Sequence, residues 1–235
     1  MKIGVFTDTH YCNAEVMCKT RRPLLSPKKV REAMEAFRAA KVDLCICLGD
    51  LTDLAPGDTK QHAVKCLHDI LALIRSYNIP FCLVPGNHDF LALKREDFRS
   101  AGVQVPPYAI SANGYRLIFL DANYRSDMRH FDVAGEEWTD ANLPREQCRF
   151  LEDELNAATE PCIVCIHENL DPSVENDYIV KNADEIREII KGKATMVLQG
   201  HYHPGAECLI DGIPYITFSA VCEGTDNAYR IVELP

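Results

Sequence analysis

Short apolar runs recur along the chain, and five of them stop on the same few polar side chains. Ile3-Gly4-Val5-Phe6-Thr7 is followed by Asp8-Thr9-His10, and Leu44-Cys45-Ile46-Cys47-Leu48 by Gly49-Asp50-Leu51-Thr52-Asp53. Pro80-Phe81-Cys82-Leu83-Val84-Pro85 leads into Gly86-Asn87-His88-Asp89. Cys162-Ile163-Val164-Cys165-Ile166 ends at His167, and Thr195-Met196-Val197-Leu198 ends in Gln199-Gly200-His201-Tyr202-His203. Runs of this length, bounded by Gly, Pro and polar residues, read as buried strands. A strand pairs in parallel with its successor only through a crossover, normally right-handed, and the pattern between the first two runs supplies one. Val30, Ala33, Met34, Phe37 and Ala40 repeat at helical spacing, so residues 27–40 are expected as a helix, with Ser26 as N-cap and Pro27 at the first helical position. Asp8 and Asp50 then emerge at one sheet edge, and in open α/β sheets ligands bind off the carboxyl ends of the strands.

The remaining elements follow from the same cues. Val64, Leu67, Leu71 and Ile74 mark a second helix, and residues 90–101 a third ending at Gly102. Asn113-Gly114 is a hairpin turn between Tyr108–Ala112 and Tyr115–Leu120. Pro144 starts an amphipathic helix carrying Phe150, Leu151 and Leu155, and Asn182 is expected to cap a helix over 183–191. The end of the chain reads as antiparallel strands: Glu207–Ile210, an Asp211-Gly212 turn, Ile213–Ala220 and Tyr229–Leu234. The chain reads as one domain over residues 1–235, with no repeat or linker.

Residues 11–25 and 122–143 lack periodicity and read as loops over the mouth of the site. They carry Arg21, Arg22, Arg125 and Arg129, whose guanidinium groups suit phosphate oxygens, and they are expected to set substrate choice. Asp89 and Asp121 are expected as turn or loop caps, and His62 and His68 as surface residues of the second helix.

Composition narrows the function classes. A net charge of −10 argues against a general nucleic-acid binder, because phosphate backbones reward basic patches. No apolar run approaches the ~20 residues that span a bilayer. Lys2 leads into an apolar run too short for the core of a secretion signal. Eleven cysteines sit mostly inside apolar runs, where they act as small hydrophobes, and the expected compartment is the reducing cytoplasm. Cys162-x-x-Cys165 lacks a second pair and lies in a strand-like run, which favours a structural role over zinc or redox chemistry.

The strand ends gather Asp8, His10, Asp50, Asn87, His88, His167, His201 and His203, which include five of the eight histidines. Unpaired polar groups buried together would be costly, and a metal centre accounts for them jointly. The set exceeds one tetrahedral zinc and suits two cations sharing a carboxylate. Nitrogen and oxygen donors without thiolate favour Mn, Fe, Zn or Co over Ca or Mg. Two such ions clamp the attacking and leaving oxygens of an in-line displacement at phosphorus.

Asp8-x-His10, Gly49-Asp50-x-x-Asp53, Gly86-Asn87-His88-Asp89, His167 and Gly200-His201-x-His203 resemble, in order and rough spacing, the blocks of the calcineurin-like metallophosphoesterases. The resemblance runs from residue 1 to about residue 220. It implies an α/β fold, a four-layer α/β/β/α sandwich with two facing mixed sheets. It implies one metal on Asp8, His10 and His203, a second on Asn87, His167 and His201, Asp50 bridging, and a metal-bound hydroxide as nucleophile. His88 would serve catalysis without ligating, and Asp53 would orient it. Two departures weaken the transfer of a particular substrate. Glu168-Asn169-Leu170-Asp171 replaces the His-x-Pro pattern of bacterial cyclic-nucleotide phosphodiesterase relatives, and Leu54 interrupts the Asp-Arg-Gly run of the protein phosphatases. The Gly-Asp-Leu-Thr-Asp run looks more like the small-molecule phosphodiesterases and nucleotide pyrophosphatases, manganese-dependent ADP-ribose diphosphatases included. The expected substrate is a small phosphodiester or nucleotide pyrophosphate. A phosphomonoesterase, a nuclease or a non-catalytic scaffold are the rival readings, and the oligomeric state is open.

Overall fold

The computed structural model describes residues 1–131 and 137–235. The chain begins with β1 (Lys2–Phe6), α1 (Ser26–Ala40), β2 (Leu44–Cys47), α2 (Lys60–Arg75) and β3 (Phe81–Leu83). After α3 (Arg95–Ser100) come β4 (Tyr108–Ala112), β5 (Tyr115–Phe119), α4 (Arg145–Ala157) and β6 (Cys162–Cys165). The last elements are α5 (Ala183–Ile190), β7 (Ala194–Gln199), β8 (Ala206–Ile210), β9 (Ile213–Thr217) and β10 (Tyr229–Glu233). No helix of the described residues is long and apolar enough to cross a membrane.

The strands form two mixed sheets. The first has the order β10-β1-β2-β3, and the second β4-β5-β6-β7-β9-β8. β1, β2 and β3 run parallel, as the helical crossovers require, and so do β5, β6, β7 and β9. Three apolar cores make the expected four layers. Phe6, Cys45 and Cys47 pack with Val30, Phe37, Leu67 and Leu71 between the first sheet and α1 and α2. Ile118, Val164 and Val197 pack with Leu151, Leu155, Ile186 and Ile190 between the second sheet and α4 and α5. Ile3, Val5, Ile46, Leu117, Phe119, Ile163 and Leu198 fill the space between the sheets. Each central strand is buried on both faces, which is why its sequence is apolar without alternation. Cys162 lies in the helix-side core and Cys165 between the sheets, so the C-x-x-C pair is split across a strand and cannot act jointly.

Several local expectations are corrected. Ser26 is the first residue of α1 rather than its cap, and its Oγ donates to the Thr9 carbonyl instead. Residues 90–101 do not form one helix: a 3-10 turn over His88–Leu91 precedes the short α3. Asn182 occupies the N-cap position of α5 but makes no cap bond there; its amide exchanges hydrogen bonds with the Leu143 backbone. The terminal strands are not one antiparallel group. β9 pairs parallel with β7, while β10 crosses to the first sheet and pairs antiparallel with β1. Part of the expected 122–143 loop, residues 132–136, lies outside the described residues.

Gly4 in β1 lets α1 approach the sheet. A Cβ at this position would lie 2.6 Å from Cγ of Phe37, at the base of a ring that cannot swing away without moving the helix. Gly4→Ala is therefore expected to destabilise the protein by about 1–3 kcal/mol, the usual cost of overpacking. A fall in the urea unfolding midpoint would show it.

Candidate metal centre

The parallel pairing brings the carboxyl ends of β1, β2, β6 and β7 and the turn after β3 to one place. At that edge the backbone turns sharply. Asp8, His10, Asp50 and His201 all take positive φ, at 53°, 46°, 48° and 67°. For residues with a Cβ this region is strained by roughly 1–2 kcal/mol each, and such strain collects where side chains are aimed for function. Neighbouring contacts hold the turns: Asp8 N donates to Gly49 O and His10 N to Asp50 O, both at 2.9 Å.

Asp8, His10, Asp50, Asn87, His167 and His201 are buried, and His203 is half-buried. Asp50 Oδ2 lies 3.4 Å from His10 Nε2 and 3.5 Å from His167 Nε2, between the two halves of the cluster. On one side His10 Nε2 is 3.2 Å from His203 Nε2, and Asp8 Oδ1 is 3.7 Å and 3.5 Å from these two nitrogens. On the other the His167 and His201 rings lie 5.0 Å apart. His10, Asp50 and His88 could hold a cation, and so could Asp50, His167 and His201. A third set joins His10 and His203 to Cys222, whose thiol is pushed up by burial.

Three observations fit this donor set to metal ions. Asp8 Oδ1, Asn87 Oδ1 and His167 Nε2 are buried without a hydrogen-bond partner, a costly arrangement unless a ligand meets them. The far nitrogens are already engaged. His10 Nδ1 donates to Asp53 Oδ2 at 2.9 Å, His167 Nδ1 to the Leu48 carbonyl at 2.6 Å and His203 Nδ1 to Glu223 Oε1 at 2.6 Å. Each bond leaves Nε2 turned inward, the usual way proteins prepare a ligating histidine. Space is kept as well: a Cβ on Gly86 would lie 2.3 Å from Asp50 Oδ1 and 2.6 Å from His167 Nε2.

The electrostatics agree. Burial alone would raise the Asp8 and Asp50 carboxyls, but the histidines around them hold both well below the usual range. Burial would lower His10, yet Asp50, Asp53 and Asp8 raise it to about 9. The cluster favours positive charge strongly enough to draw it from imidazole, and cations would supply it directly. His201 is pushed down to about 3 by burial and by the neighbouring His167.

His88 differs from the other donors: although it lies close enough to His10 and Asp50 to join them, its Nε2 faces the Arg21 guanidinium at 3.4 Å. Its backbone N–H donates to Asp50 Oδ1 at 2.8 Å, and its ring Nδ1 donates to Asp53 Oδ1 at 3.0 Å. Asp53 therefore grips His10 with one oxygen and His88 with the other, a double role the sequence reading did not foresee. Asp89 is a loop cap: it accepts from Gly86 N, Leu51 N and Thr52, which ties the turn after β3 to the turn after β2. Asp121 likewise staples its loop through Arg95, His130 and Asn123. His62 and His68 lie exposed on α2.

A cavity of about 450 Å³ opens over the cluster, lined by Asp50, Asn87, His88, His201 and His203 together with Cys18, Arg21, Trp138, Tyr178 and Glu223. Of the four loop arginines Arg21 is in this lining, with Nη1 3.4 Å from His88 Nε2 and 3.6 Å from Asp53 Oδ2. Arg22 instead bonds backbone carbonyls of its own loop, and Arg129 pairs with Asp127. Trp138 and Tyr178 form an aromatic wall, their ring centroids 5.3 Å apart and each about as far from His201. Tyr178 and Glu223 were missed because single residues in aperiodic segments carry no spacing signal.

The family profile of the calcineurin-like phosphoesterases matches residues 1–205. A Fibrobacter succinogenes protein named "probable cyclic nucleotide phosphodiesterase" is 24% identical over 86% of this chain and 73% of its own length. An uncharacterized protein of Schizosaccharomyces pombe is 29% identical over 45% of this chain, a match that spans 22% of that relative's length. Among solved structures, a dimetal phosphatase from Danio rerio superposes with a TM-score of 0.85 at 19% identity, over 99% of this chain and 92% of that one. With the profile covering most of its length and two mixed sheets converging on paired donor sets, the chain belongs to the calcineurin-like phosphoesterases, dinuclear metal-dependent hydrolases of phosphoester bonds.

Proposed function

We propose that this protein hydrolyses a small phosphodiester or a nucleotide pyrophosphate, and that Asp8, His10 and His203 hold one cation, Asn87, His167 and His201 a second, and Asp50 both. The observation that carries the reading is that Asp8 Oδ1, Asn87 Oδ1 and His167 Nε2 are buried without hydrogen-bond partners, with His167 Nε2 3.5 Å from Asp50 Oδ2 and Asn87 lining the same cavity as Asp50. When bound, two cations would polarise the phosphoryl oxygens and lower the pKa of water. Manganese, iron and zinc suit the nitrogen and oxygen donors.

The chain's own residues supply the rest. Asp53 Oδ1 accepts a hydrogen bond from His88 Nδ1–H, and the Nε2 edge faces the cavity. With its Nδ1 proton committed to Asp53, Nε2 can donate to a phosphoryl oxygen or pass a proton to the leaving oxygen only in the doubly protonated ring. The Arg21 guanidinium beside it presents charge to the transferred phosphate. The aromatic wall of Trp138 and Tyr178 suits a flat ring in the non-reacting part of the substrate, which favours nucleotides. The relative named as a cyclic nucleotide phosphodiesterase is compatible with the same class. Eleven free thiols suit a reducing cytoplasm.

Purified protein with added Mn(II) is expected to cleave bis(p-nitrophenyl) phosphate faster than p-nitrophenyl phosphate, and to lose activity on chelation. A preference for the monoester would replace this reading with a phosphomonoesterase. His88→Ala should keep two metal equivalents by elemental analysis and lower kcat by roughly 10²–10⁴-fold. Gly86→Ala should instead lose bound metal and also lower the urea unfolding midpoint, because its methyl group would crowd Asp50 Oδ1, His167 Nε2 and the Asp50 backbone nitrogen, the last at 2.6 Å. Trp138→Ala should raise KM for a nucleotide pyrophosphate by about 5–150-fold, the range that ~1–3 kcal/mol of base stacking implies. KM for a phosphodiester without rings should stay within about twofold.

A further inference from the structure

The segment 221–224 arrives at the site from the far end of the chain and is tied down with unusual care. Val221 N donates to Thr7 O at 3.0 Å and Cys222 N to Asp8 O at 2.9 Å, so the segment continues the edge of β1 beside a candidate ligand. Arg22 N donates to Cys222 O at 2.7 Å, and Arg21 forms an isolated antiparallel bridge with Glu223. Beneath it lies the ammonium of Lys29, a residue of α1 only 2% exposed. Its Nζ donates to the carbonyls of Val221 at 2.6 Å, Glu223 at 2.8 Å and Gly224 at 3.0 Å. Burying a lysine is costly unless every donor is used, and here three carbonyls take the three N–H groups. The result is a fixed carboxylate. Glu223 Oε1 accepts from His203 Nδ1 at 2.6 Å, the span of a charge-assisted bond.

We propose that Glu223 is the positioning residue for His203: it fixes the tautomer with the proton on Nδ1, aims Nε2 at Asp8 and His10, and thereby sets the metal affinity of that half of the site. The inference rests on His203 being a ligand, as argued above. Asp53 does the same for His10 on this side, whereas His167 leans on the neutral carbonyl of Leu48. Both histidines of one half are thus backed by carboxylates, which make an imidazole the more basic donor. Lys29 holds the Glu223 backbone so that the carboxylate meets the ring without searching.

Mn(II) binding by wild type, Glu223→Ala and Glu223→Gln, followed by equilibrium dialysis, tests this without reference to turnover. Glu223→Ala should weaken one of two sites by about 10–100-fold and leave the other unchanged. Glu223→Gln keeps an acceptor for Nδ1 but no charge, and should fall between. In the metal-free proteins, nitrogen-detected NMR should show His203 as the Nδ1–H tautomer in wild type and as a tautomer mixture in Glu223→Ala. Unchanged affinity at both sites in Glu223→Ala, an equal loss at both, or an unaltered His203 tautomer would overturn the proposal. Wild-type protein that takes up no Mn(II) would overturn the metal assignment itself, an outcome distinct from wild-type uptake that Glu223→Ala leaves untouched.

Discussion

Everything at this site turns on the Asp50 carboxylate. It ends a central strand, has no room to leave, and stands between His10 on one sheet's side and His167 on the other's. A lone charge there would be intolerable in an apolar core. The molecule answers by making it a common point. The His88 backbone is hydrogen-bonded to one oxygen, and two imidazoles face the other. The two sheets are packed through aliphatic side chains that carry no directional information. The registration of their carboxyl ends is therefore expressed at this carboxylate, where each contributes a histidine.

The outer ring of contacts explains how soft loops hold a rigid cluster. Asp89 ties the turn after β3 to the turn after β2. Asp53 ties His10 to His88, so an inward donor and the cavity-facing imidazole share one support. Ser26 ties the start of α1 to Thr9, between Asp8 and His10. Loops positioned in this way can vary in length without moving the donors, while the strained turns at Asp8, His10, Asp50 and His201 keep their aim.

The strands, their parallel pairing and the converging donors were legible because each leaves a local mark: an apolar run followed at once by a polar residue. The ends of helices were less so. Ser26 and Asn182 have the chemistry of caps, yet each found a better partner in a distant backbone group, which only the tertiary structure supplies. The helix expected over residues 90–101 is split: a 3-10 turn takes His88–Leu91, and α3 starts afresh where the Lys94 N–H donates to Asp97 Oδ2 at 2.7 Å. Glu223 and Tyr178 were invisible for a simpler reason. Their meaning depends on what lies across the cavity from them, and sequence distance hides it. Asp53 was read by half, since its second partner, His10, is remote in sequence.

The return of β10 to the first sheet has a consequence for how the molecule comes into being. Until residues 229–233 are available, β1 is an open edge, although β2 and β3 have long been ready to flank its other side. The segment 221–224, which braces Asp8 and His203, precedes β10 in the chain and bonds to Thr7 and Asp8 just beyond the end of β1. Contacts of such long sequence separation form late, after the entropy of closing almost the whole chain into a loop has been overcome. The pairing of His10 with His203 spans 193 positions, so this corner of the cluster exists only once both stretches of chain are present and folded together.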